Sequence, residues 1–221
     1  MEWPEFKIFL DPVVFENAIL SCGSLVYISN LKCASSFFHE SFRRLNWHRI
    51  TFSQIDWKNQ HIFGHILEPN TRRNKAVAEV IYQNQAQDLF YNDESFRQLI
   101  KHVPLLDGHS KSFHDLYGDH CDEIDWIPIT GRGAQEVADK TSAFLVEIGN
   151  IKLFNRWAWD RSYMSAPRKK QLEQDLAKLW ETDRPASSDQ YLQRDRDLHH
   201  RVITRFDYNA PTWAESSWLR R

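Results

Sequence analysis

Ser24-Leu25-Val26-Tyr27-Ile28-Ser29-Asn30-Leu31-Lys32-Cys33-Ala34-Ser35-Ser36-Phe37-Phe38 reads as an apolar strand that runs through a lysine-bearing turn into a helix. Backbone N–H groups at a helix start have no intrahelical partner and carry the positive end of the helix dipole, so such a turn suits a phosphate or sulfate. Lys32 and the hydroxyls of Ser35 and Ser36 add side-chain donors. The stretch therefore predicts an anion cradle at the end of the first strand.

Working outward, Asp11-Pro12 resembles an N-cap and first helical turn, which predicts a short helix ending near Gly23. After the cradle, Phe38, Phe42 and Leu45 recur at helical spacing up to a stop at Asn46. Strands are expected over Trp47 to Phe52 and over His61 to Leu67, the second closing at Glu68-Pro69. A long helix is expected from Pro69 toward Phe90, with Arg72, Arg73 and Lys75 crowded into its first turns. Basic residues there oppose the macrodipole, typically by ~0.3–1 kcal/mol each when exposed, so a bound anion would offset a local cost.

Further along, a helix over Asp93 to Val103 stops at Pro104, and a polar, histidine-bearing connection covers Leu105 to Asp122. Ile124 to Ile129 reads as a strand whose Pro128 favours an edge or a strand end. Helices are expected over Gly133 to Ile148, Pro167 to Glu181 and Ser188 to Phe206. Strands alternating with helices predict an α/β layer fold with a mainly parallel sheet. No repeat or linker divides the chain, so residues 1–221 are read as one domain with its core over 24–149 and a helical extension over 150–221.

Composition narrows the function classes. A net charge of -2 gives no global basic field, so a nucleic-acid partner is not expected and any polyanion site is local. Cys22, Cys33 and Cys121 are odd in number and lack a C-x-x-C pair, which argues against a disulfide framework or a zinc knuckle and fits a reducing cytoplasm. No leader or bilayer-length apolar run is read in the sequence, so no membrane partner is expected. His109, His114, His120 and Cys121 match no metal-binding spacing, and no metal is expected. His65 in mid-strand reads as a satisfied core residue, and Gln193 to Asp197 as a solvated helix face.

Lys32-Cys33-Ala34-Ser35-Ser36 fits the pattern lysine, any residue, alanine, cysteine or serine, threonine or serine, and here the chain resembles the carbohydrate sulfotransferases. A second block agrees: the family's Arg-Asp/Glu-Pro-x-x-Arg is similar to Leu67-Glu68-Pro69-Asn70-Thr71-Arg72, with Leu67 where the family has arginine. A third, His109-Ser110-Lys111-Ser112-Phe113 followed by the strand to Ile129, resembles the family's histidine-bearing loop.

The resemblance implies a three-layer P-loop-like α/β fold and a soluble protein like the short bacterial or bacteriophage members. Its implied activity is sulfuryl transfer from 3′-phosphoadenosine 5′-phosphosulfate, without metal, to a hydroxyl or amine of a small molecule or glycan. Lys32, Cys33, Ala34, Ser35 and Ser36 inherit contact with the 5′-phosphosulfate. Arg72, Arg73 and Lys75 inherit the neighbourhood of the 3′-phosphate, and Lys32 and His109 the catalytic roles of charge neutraliser and base. The alternative is a non-catalytic binding or assembly module of the same fold, in which Leu67 records loss of the donor. A nucleotide-binding P-loop of the Gly-x-x-x-x-Gly-Lys-Ser/Thr type is absent, since no glycine lies between Gly23 and Gly64.

Overall fold

Gly23, at φ 60°, opens a two-residue turn that folds β1 (Ile19–Cys22) back on β2 (Leu25–Ile28), with Cys22 opposite Leu25. The computed structural model describes residues 19–30, 32–102, 111–129, 134–149, 167–182 and 186–205. The helix expected from Pro12 falls mostly outside these residues, and its expected last turn is a strand instead. A glycine with positive φ closes a hairpin as readily as it stops a helix. Ile19 and Leu20 are both buried, one on each face of the sheet, which a strand achieves and a surface helix does not.

β3 (His48–Ile50) pairs antiparallel with β1, while β4 (His61–Leu67) lies parallel to β2 and β5 (Asp125–Ile129) parallel to β4. The order is β3-β1-β2-β4-β5. The sheet is thus open and mixed rather than mainly parallel, because the Gly23 hairpin inserts β1 with reversed direction. Among the described residues β5 is the terminal strand, so the missing N–H of Pro128 removes no bond to a further strand there.

Helices cover both faces. On one, Leu20, Tyr27, Phe63 and Ile127 pack with Phe38 and Phe42 of α1 (Ser35–Arg44) and with Phe144 and Leu145, of a helix numbered α6 below. The helices that follow β4 are α2 (Pro69–Gln83), α3 (Gln87–Asn92) and α4 (Glu94–His102). The single long helix expected here is interrupted, because Gln85 takes φ 54° and turns the chain. Next come the short α5 (Phe113–Tyr117), then α6 (Ala134–Gly149), α7 (Pro167–Thr182) and α8 (Ala186–Arg205). On the second face, Val26, Ile62, Ile66 and Trp126 pack with Phe113 and Tyr117 of α5 and with Leu198 and Val202 of α8. A separate apolar cluster joins α2, α3, α4 and α7 through Val77, Ile81, Phe90, Phe96, Leu172 and Leu176. Among the described residues, no helix is long and apolar enough to cross a membrane.

The order also fixes where the two connections part. From β2 the chain passes through α1 to β3 toward one edge of the sheet, and from β4 it passes through α2 toward β5 at the other edge, with Arg72 of α2 lying over Phe113 of the second face. A crevice at the carboxyl ends of adjacent strands, where connections diverge, is the usual ligand position in open α/β sheets. The turn carrying Lys32 and the start of α2 flank that position.

Candidate functional site: the crevice between β2 and β4

The turn after β2 is tied down from beneath. Asn30 is fully buried: its Nδ2 donates to the backbone oxygen of His65 at 2.8 Å, its Oδ1 accepts from the Tyr117 hydroxyl, and its own carbonyl accepts the Cys33 N–H at 3.1 Å. Lys32 and Ala34 take φ values of 67° and 57°, so the backbone coils before α1 begins. Ala34 supplies no side-chain cap and the first turn of α1 holds no acidic residue, which leaves this helix start suited to an external acceptor. Ser35 is buried at that start, and the Ser36 side chain lies outside what the structure describes.

Cys33 is buried, and burial pushes its thiol up to about 11, against the opposing pull of the Arg72 charge and the Leu67 backbone. Lys75 and Asp195 also act on it, so the structure brings Cys33, Arg72 and Lys75 into one electrostatic neighbourhood. The side chains themselves diverge. Lys32 Nζ lies 3.0 Å from Glu79 Oε2, toward the middle of α2, and Lys169 of α7 reaches the same oxygen. Arg72 donates from Nη1 to the Lys111 carbonyl at 2.6 Å and stacks 4.6 Å over Phe113. Arg73 lies 4.0 Å over Trp180, and Lys75 Nζ is 3.8 Å from Glu173.

The anion expected at the start of α2 is part of the chain. Glu68 accepts the backbone N–H groups of Asn70 at 3.0 Å and Thr71 at 2.7 Å, and the Thr71 hydroxyl at 2.8 Å. Burial pushes its carboxyl up, but these hydrogen bonds outweigh burial and hold it below its ordinary value. Of the two helix starts at the crevice, that of α2 is closed by its own carboxylate and that of α1 has no side-chain cap.

His109 lies outside the described residues. His65 is a core residue: its Nε2 lies 2.9 Å from the Thr141 hydroxyl, its Nδ1 3.3 Å from the Tyr27 hydroxyl, and its ring stacks 4.0 Å from Phe38. Because Thr141 donates its own proton to the Val137 carbonyl, it accepts from Nε2–H, which leaves Nδ1 to accept from Tyr27.

One residue read as solvated is the opposite. Asp195 is fully buried and accepts the backbone N–H of Phe113 and the His114 ring nitrogen Nδ1, the latter at 3.1 Å. Its charge also acts on Cys33, adding to the upward push that burial gives that thiol. The His114–Asp195 pair is joined by the fold across 81 residues, and no local signal marks it.

A cavity of about 480 Å³ lies at the other end of the sheet, against the start of β4 and β5, lined by Trp57, His61, Asp125, Arg201 and Arg205 among others. None of the expected site residues borders it. Among the described residues, no group of three or more His, Cys, Asp or Glu side chains is arranged to hold a metal ion. Set against known protein families, curated proteins and solved structures, the chain matches none of them.

Proposed function

We propose that the chain is a sulfotransferase-like enzyme of the three-layer P-loop type, using the crevice between β2 and β4 to move a sulfuryl group from 3′-phosphoadenosine 5′-phosphosulfate to a hydroxyl or amine of a small molecule or glycan. The observation that carries this reading is the start of α1, which has no side-chain cap, lies behind two residues of positive φ and sits where the crossovers diverge. That arrangement fits the phosphosulfate end of the donor, through backbone N–H groups, Ser35 and Ser36. The donor supplies the activated sulfuryl group. The chain's part is positioning and charge stabilisation, with Lys32 opposite the oxygen that gains charge.

A proton must also leave the acceptor. His109 is the base that the resemblance implies, and His114, oriented by Asp195, is a second imidazole whose Nδ1 is already held. The 3′-phosphate end fits less well. Arg72 is engaged by Lys111 and Phe113, and Leu67 replaces the family arginine, a loss of about 1.5–3 kcal/mol for one charge-assisted hydrogen bond.

The engagement of Arg72, Arg73 and Lys75 in internal contacts favours a second reading, a scaffold of this fold that has lost its donor. A thermal-shift screen with adenosine 3′,5′-bisphosphate separates the two. Ligand at 100 times its dissociation constant stabilises by about 2.7 kcal/mol, whereas the donor-less scaffold gives no shift at millimolar nucleotide.

A further inference from the structure

An unbroken train of contacts runs from the turn at Lys32 to a partly exposed pair of rings beside the far cavity. The turn is closed by the Cys33 N–H on the Asn30 carbonyl at 3.1 Å, and Asn30 Oδ1 accepts from the Tyr117 hydroxyl. Burial pushes that hydroxyl above its ordinary value, so it stays a proton donor. Tyr117 stacks on Phe52 with ring centroids 6.3 Å apart, and Phe52 meets Trp57 edge-on at 5.4 Å and His120 at 5.8 Å. His120 and Trp57 lie face to face, 3.9 Å apart and 14° from parallel. Glu123 Oε1 holds the imidazole at its Nδ1, at 2.7 Å. Asn30 and Tyr117 are buried, whereas the His120 side chain is 39% exposed.

We propose that the His120–Trp57 stack is a remote positioning element for the turn at Lys32, acting through Phe52, Tyr117 and Asn30. Phe52 touches Tyr117 and both rings of the pair, so their packing sets where the Tyr117 ring sits. The Tyr117 hydroxyl in turn supplies the proton for a buried amide oxygen, and a small displacement of that donor leaves Asn30 Oδ1 unsatisfied. Asn30 carries the carbonyl on which the turn closes, so the disturbance reaches Cys33. Trp57 and Glu123 also line the cavity at the amino ends of β4 and β5, which places the far end of the sheet in contact with the same train. That the turn holds a donor rests on the function proposed above, but the coupling does not, because it belongs to the chain without ligand.

The test is hydrogen exchange of backbone amides in the full chain, followed by NMR at fixed pH and temperature. His120→Ala is expected to speed exchange at Cys33 by about threefold or more and to leave Leu176 of α7 unchanged, since that helix belongs to a separate apolar cluster. His120→Phe keeps a ring on Trp57 and is expected to restore the wild-type rate. Tyr117→Phe removes only the hydroxyl and is expected to speed exchange at Cys33 further. Adding His120→Ala to it should change little, because the train is already cut. An unchanged rate at Cys33 in His120→Ala, no restoration by His120→Phe, equal speeding at Leu176, or full additivity in the double variant would overturn the proposal. Should Tyr117→Phe not fold, the comparison of His120→Ala with His120→Phe at Cys33 and Leu176 decides in the same way. The exchange rates are read without nucleotide, so their outcome stands apart from that of any nucleotide titration.

Discussion

The buried carboxylate of Asp195 on α8 holds the backbone N–H of Phe113, at 3.0 and 2.8 Å from its two oxygens, and so fixes the start of α5. Phe113 in turn carries the Arg72 guanidinium on its ring and packs against Trp126 of β5. One carboxylate therefore links α8 to α5 and, through Phe113, to Arg72 in the first turn of α2. Asp195→Ala leaves the Phe113 N–H and the His114 ring without their acceptor. The expected loss of unfolding free energy is on the order of 3 kcal/mol in urea titration, and a loss below about 0.5 kcal/mol would refute the linkage.

His65 predicts an acid-side loss of stability. Burial pushes its imidazole down to about 3, against an ordinary value of 6.5 in the unfolded chain. Between those values the unfolded state binds a proton that the folded state refuses. The contribution is complete above pH 6.5 and is lost as pH falls toward 3, at up to about 1.4 kcal/mol per pH unit. His199, also held down by burial, adds a contribution of the same sign. Below about pH 4.5 the lowered carboxyls of Glu68 and Glu79 steepen the loss, so the histidine effect is read between pH 4.5 and 6.5. His65→Gln is expected to flatten unfolding free energy against pH in that window, and an unaltered slope would contradict the assignment.

Gly64 is a matter of space. A β-carbon there would lie 2.9 Å from the Ile28 carbonyl and 3.0 Å from the Trp126 ring, with β2 on one side and β5 on the other. Trp126 is itself pinned by its indole N–H, which donates to the Cys121 carbonyl at 2.8 Å. Gly64→Ala is therefore expected to destabilise the fold by roughly 1–3 kcal/mol. Trp126→Leu in the same chain should make the alanine less costly than it is alone, and strictly additive losses in chemical denaturation would contradict the contact.

The local part of the fold was legible in sequence. His61 to Leu67 reads as an unbroken apolar strand and forms β4 with those ends, and Pro69 and Pro167 start α2 and α7 as proline in a first turn should. β1 was not legible, because Ile19 to Cys22 has no alternation of its own and Gly23 serves a helix end and a hairpin equally. The site was legible only in its backbone outline. That Glu68 would be the anion at the start of α2 follows from capping chemistry, yet the resemblance drew attention to the basic residues instead. Glu79, Lys169 and Asp195 were invisible for a different reason: their partners lie more than 40 residues away, and helical periodicity does not encode such pairings.

Isothermal titration with adenosine 3′,5′-bisphosphate asks whether the turn beside Lys32 takes a nucleotide bearing phosphate at both ends, as proposed above. Saturable binding to the wild type is expected, weakened by about 10- to 150-fold in Lys32→Ala and by less in Lys75→Ala. No heat at millimolar nucleotide, or binding that Lys32→Ala leaves unchanged, would contradict it.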